Sequence, residues 1–280
     1  MNPITETVVR KVLNTVDAGL CSGVGQPVPG KMCIEAVWAF VNGEPLNDEA
    51  SCKHDAVRKF DITLNDSRWS TNDARAKGMR RLSIAGLGST EIDGGKFAEL
   101  VAIGTVQRIV PIALRAAAST YPEHAAKLEA AAIVCETVKT RDEAIVAAKK
   151  ASQVAHAADT ADTAYASAAA AAAYAASYAA DAVDAVDAAS YAASYAADTA
   201  DTAYASAVAY AAVGYAVAAA ADTADTAADT VDAAADIAAY ATDAKRDKIL
   251  SMSADIGCDA LIECGSEGAK YLWLCDEAAA

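Results

Sequence analysis

The chain has 280 residues, 54% of them hydrophobic and 22% charged, and its formal net charge at pH 7 is −15. Almost all of that charge sits in residues 157–243, which hold 13 aspartates and no glutamate, lysine or arginine. This excludes attachment of the tract to nucleic acid or an anionic membrane, since both need a basic patch. Regularly spaced carboxylates could instead imitate phosphates, or simply keep an alanine-rich helix in solution.

In chain order, Thr5–Leu13 starts a short amphipathic helix, with no charged-then-apolar leader before it. The run GVGQPVPG is a loop by its glycines and prolines. Lys31–Val41 is a strongly apolar helix expected to end before Gly43, a C-cap residue. The segment NGEPLNDEASCKH is loop again. Ser70-Thr71-Asn72-Asp73 has capping-box spacing and opens the helix ARAKGMRRLSIAGLG. Lys96–Ala118 reads as a helix bent at Pro111, which lacks an amide hydrogen. Two more capping boxes follow, Thr120 with Glu123 and Thr140 with Glu143.

From Arg141 to Asp247 there is no proline and one glycine, Gly214. Alanine, the strongest helix former, supplies 44 of the 87 residues from 157 to 243, so the tract is expected to be helical. As one rod it would reach roughly 160 Å, so a compact protein must fold it back. The Asp/Thr blocks Asp159–Thr163, Asp198–Thr202 and Asp222–Thr230 either mark turns between antiparallel helices or form a polar face on continuous helix.

Tyr174, Tyr178, Asp181, Asp184, Asp187, Tyr191, Tyr195, Asp198 and Thr202 step by three or four and share one stripe. Nine of the eleven tyrosines lie in the tract, and AADTADTAYAS occurs at both Ala157–Ser167 and Ala196–Ser206. Growth by repetition and close alanine packing suggest a contact surface rather than a catalytic one. Ala203–Ala221 is 19 residues without charge, yet mostly alanine and flanked by aspartates, so no membrane span is expected. After Lys245, RDKILSMSADIGCDALIEC is an amphipathic helix stopped by Gly265, and KYLWLC is an apolar tail expected to dock on the core.

The chemistry-bearing candidates are few. Gly25 to Lys31 fits GxxxxGK, but Met32 stands where a phosphate loop needs Ser or Thr, and two prolines remove amides. Cys33, Cys52 and His54, with Cys21 or Glu35 as a fourth ligand, could hold zinc, but C-x18-C-x-H lacks a paired knuckle and buried thiols are the favoured reading. Otherwise no cofactor is expected. Glu35 lies in an apolar helix four residues after Lys31, the spacing of a surface ion pair. Arg68, Arg75, Lys77, Arg80 and Arg81 form the basic cluster, and Glu35, Arg68, Arg75 and Arg80 are the candidate residues for an anionic ligand. The seven cysteines are odd in number and scattered, as expected of free thiols in a reducing cytoplasm.

The motif residues Pro29, Gly30, Met32, Cys33, Glu35, Ala36, Gly43, Glu44, Pro45, Asp48, Cys52, Asn65 and Asp66 carry a resemblance. The chain resembles a family of uncharacterised bacterial and bacteriophage proteins with P-x-x-G-x-M-C-x-E-A, then G-E-P, then L-N-D, followed by an alanine-rich helical tract. Relatives often place a histidine where this chain has Glu49. The resemblance covers about residues 19–88 in detail and implies a bacterial or phage accessory protein in the cytoplasm.

The expectation is an all-α protein in which both chain ends form a helical domain. Residues 1–140 and a packing-back segment 248–280 flank an inserted alanine-rich hairpin or bundle, 141–247. The leading functional expectation is a non-enzymatic interaction protein whose tract mediates self-association or protein contact, with a homo-oligomer expected. The alternative is binding or hydrolysis of a small nucleotide-like anion by the N-terminal domain.

Overall fold

The computed structural model describes residues 3–120, 122–159 and 243–277. They are all-α, and the extended pairing among them is the antiparallel bridge between Gly25 and Met32. The hairpin or bundle expected of the tract, with its Asp/Thr turns and tyrosine stripe, lies outside the described residues.

The chain divides into two compact units, Met1–Phe97 with Ala241–Ala280, and Ala98–Tyr240. The first is built on α1 (Glu6–Asp17), α2 (Ile34–Asn42), α3 (Asp55–Asp66), α4 (Asn72–Ala85) and the later helices α9 (Asp243–Glu263) and α10 (Trp273–Glu277). Helix α4 is the hub, with α1, α3, α9 and the 3-10 turn Glu267–Tyr271 packed against it. Trp38, Phe60, Leu64, Met79 and Leu82 fill the core.

Small residues set how closely the helices approach. A Cβ on Gly257 of α9 would lie 2.4 Å from Phe60 Cε1. One on Gly78 of α4 would lie 2.4 Å from the Trp69 ring and 2.7 Å from Ser251 Oγ of α9. Phe60 in turn meets Phe97 edge to face, centroids 5.7 Å apart.

The apolar tail docks within the first unit. The Gly268 amide donates to the Leu87 carbonyl at 2.8 Å, Ser266 Oγ to the Ala85 carbonyl at 2.6 Å, and the Tyr271 hydroxyl to the Ile4 carbonyl at 3.0 Å. Leu272, Leu274 and Cys275 are buried. Gly265 ends α9 at φ 74°, and Gly43 ends α2 at φ 69°, the left-handed turn that glycine adopts without strain.

The second unit contains most of α5 (Gly94–Arg108), then α6 (Val110–Thr120), α7 (Ala125–Glu136) and α8 (Arg141–Asp159). Helix α6 packs on α7, and α7 on α8. Arg115 joins Glu129 at 2.9 Å and Glu136 at 2.5 Å, tying α6 to α7. The Thr140–Glu143 box forms reciprocally. The Glu143 amide donates to Thr140 Oγ1 at 3.3 Å, and the Thr140 amide to Glu143 Oε2 at 3.2 Å.

Several expectations need correction. The single bent helix over Lys96–Ala118 is two helices parted at Ile109, because Pro111 cannot continue the amide ladder. Helix α2 begins at Ile34 rather than Lys31, since Lys31 and Met32 belong to the bridged loop. Thr71, not Ser70, caps α4 through Ala74 N at 3.0 Å, while the Ser70 amide donates to Asp247 of α9 at 2.9 Å. Helix α7 starts at Ala125 after a 3-10 turn, so Thr120 is the last residue of α6 and opens no helix. Helix α3 was not anticipated.

Candidate functional site

The motif-bearing segments Cys21–Cys33 and Asn65–Asp66 meet in the first unit. Loop Cys21–Cys33 closes on itself through Cys21 N to Met32 O at 2.9 Å and Gln26 N to Lys31 O at 2.7 Å. Gly25 fits because a Cβ there would lie 2.1 Å from the Lys31 carbonyl. The GxxxxGK segment is therefore a hairpin folded against itself, with the Gln26, Val28 and Lys31 amides donating to its own carbonyls.

Asn65, at the end of α3, holds this loop. Its Oδ1 accepts from Ile34 N at 3.2 Å and its Nδ2 donates to the Cys21 carbonyl at 2.8 Å. Asp66 Oδ1 accepts from Gly23 N at 2.7 Å. The L-N-D motif thus fastens the loop and the first turn of α2.

Beneath it is the most unusual group in the described residues. Lys53 Nζ donates to Glu35 Oε1 at 2.6 Å and also to Asp61 Oδ2, and all three side chains are at most 1% exposed. Burial would lower Lys53, but Asp61 and Glu35 together outweigh it and raise it. Burial pushes Glu35 up to about 8; Lys53 opposes the rise and Asp61 adds to it. Burial raises Asp61 also, with Lys53 opposing.

Glu35 therefore does not make the expected surface pair with Lys31, which is exposed. Its partner lies 18 residues away, and its full burial removes it from any open ligand site. Sequence reasoning missed Lys53 and Asp61. A signal for Asp61 existed: Val57, Phe60, Asp61 and Leu64 share one helical phase, an acid in an apolar stripe.

The arginine candidates separate. Arg75 is buried and bonds inward, Nε to the Asn65 carbonyl at 2.6 Å and Nη1 to the Leu20 carbonyl at 3.0 Å and Asn72 Oδ1 at 2.7 Å. Burial lowers it. Arg80 bonds Asp17 of α1 at 2.6 Å and the Cys275 carbonyl at 2.7 Å, joining α4 to α1 and the docked tail. Arg68 is exposed. The set proposed for an anion, with Glu35, is thus not assembled into one pocket.

The zinc candidates also part. Cys33 caps α2, its sulfur accepting from Ala36 N at 3.3 Å. His54 caps α3, its Nδ1 accepting from Ala56 N at 3.1 Å. Burial pushes the Cys33 and Cys52 thiols up to about 11. Among the described residues, no group of three His, Cys, Asp or Glu is arranged to hold a metal ion. Cys33 and His54 serve here as helix caps, and Cys52 is buried.

All seven cysteines are unpaired, and no described helix is long and apolar enough to cross a membrane. No family model, curated protein or solved structure matches the chain. The resemblance at Pro29–Asp66 stands on its motif residues alone.

Proposed function

We propose that the protein is a non-enzymatic interaction protein whose Ala/Asp/Tyr tract makes contact with a second copy or with a protein partner. One observation carries the reading: the candidate chemistry of the N-terminal unit is turned inward. Glu35, Lys53 and Asp61 bond one another, Arg75 and Asn65 bond backbone, and Cys33 and His54 cap helices. The chemically distinctive part of the sequence is then the tract, with 13 aspartates, nine tyrosines and no basic residue.

The resemblance supports a bacterial or phage accessory role, and the seven unpaired thiols support a reducing, cytoplasmic setting. Native mass spectrometry of the full chain, and of a chain lacking 163–201, tests the proposal. The full chain is expected as a defined oligomer, and the deletion as a monomer that keeps its N-terminal helices. A monomeric full chain carrying a nucleotide-sized adduct would overturn it.

A further inference from the structure

The Glu35–Lys53–Asp61 cluster cannot be neutral with every group ionised. Two carboxylates and one ammonium leave one negative charge among side chains at most 1% exposed. Each acid faces Lys53 with one oxygen and leaves the other, Glu35 Oε2 and Asp61 Oδ1, buried without a partner. The two carboxyls meet at the one ammonium, through Glu35 Oε1 and Asp61 Oδ2. Carboxylates only accept, so a proton on one of them would supply the donor that these buried oxygens lack.

We propose that Glu35 and Asp61 share one proton, making the cluster a neutral acid, a carboxylate and an ammonium, and that this proton locks α2 to α3. It removes the unbalanced charge and turns one of the orphaned oxygens into a donor. Burial raises both acids, and Glu35, pushed up to about 8, is its seat.

The groups facing the cluster from adjoining elements do not replace the proton. Cys33 at the start of α2 and Cys52 before Lys53 are thiols raised to about 11 by burial, so they are neutral. Helix α4 presents Gly86, where a Cβ would lie 3.2 Å from Lys53 Cε and 3.4 Å from Asp61 Oδ2. His54 turns its Nδ1 to the α3 cap. The buried residues of α1 are Val9, Val12, Leu13, Thr15 and Val16, none ionisable.

Folding then takes up one proton between the ordinary glutamate value, 4.5, and about 8. In that window the folded chain holds more protons than the unfolded one. Its stabilising contribution is full below 4.5 and is lost as pH rises through about 8, tenfold in the folding constant per unit.

The test is urea unfolding of the full chain and of Glu35→Gln from pH 5.5 to 7.5, read by tryptophan fluorescence. Glutamine keeps a carbonyl for Lys53 and an amide donor for Asp61, but cannot titrate. The ratio of wild-type to variant folding constants is expected to fall about 100-fold across those two units. A ratio independent of pH would mean that both acids are ionised, and would overturn the proposal. Should the variant not fold, infrared spectra of the wild-type chain decide. A protonated-carboxyl carbonyl band at pH 6 that disappears above pH 8 supports the shared proton; its absence at pH 6 overturns it.

Discussion

Lys53 sits among apolar residues because two carboxyl groups meet it there, and its removal would leave both without their donor. Lys53→Met is expected to cost about 3–5 kcal/mol, the usual penalty for breaking a buried ion cluster from one side, measured by urea unfolding at pH 7. Asn65→Ala would leave the Ile34 amide and the Cys21 carbonyl without their partner, an expected loss of about 1–3 kcal/mol in the same assay. At this scale the sequence showed that Glu35 was out of place, but not why. Local spacing offers Lys31 as a partner, and only the tertiary fold brings Lys53 to it. Asp61 was visible in the same way, as an acid in the phase of Val57 and Phe60, once α3 is recognised as a helix.

Among the elements, the glycine stops were the most legible, because they follow from short-range geometry, whereas of the three capping boxes only Thr140 with Glu143 formed as read. Thr140 with Glu143, Gly43 and Gly265 all act as their residue types imply. Helix α3 was obscured by its start, where His54 replaces the usual Ser, Thr, Asp or Asn, and by the acid within its stripe. Thr140→Ala is expected to lose about 1 kcal/mol and to fray the first turn of α8, detectable as faster amide exchange at Ala144. Gly257→Ala is a sharper test of the α9 contact. Alanine is the better helix former by about 1 kcal/mol. Its methyl would nonetheless strike Phe60, and overpacking of about 1–3 kcal/mol should win, giving a net loss of stability.

For the whole molecule, burial decides what the seven thiols can do. Cys21 and Cys264 are half-buried, and the other five are buried. An aromatic disulfide reagent at pH 8 is expected to modify Cys21 and Cys264 in the native chain and all seven after denaturation, as counted by mass spectrometry. Composition and periodicity were enough to place this chain among all-helical proteins. They could not assign which residues pack across the long gap between α4 and α9, since that pairing depends on shape complementarity at Gly78 and Gly257.

That gap has a consequence during synthesis. At about 5–20 residues per second, roughly 10–35 seconds separate the appearance of α4 at the ribosome from that of α9. Until then the face of α4 that α9 and the docked tail will cover is open, and the nascent chain must hold it without closing. A ribosome that stalls inside the tract would release an N-terminal fragment lacking the helix that seals its core. Such fragments are natural substrates for chaperones and proteases, so only chains read through to the last helices would accumulate.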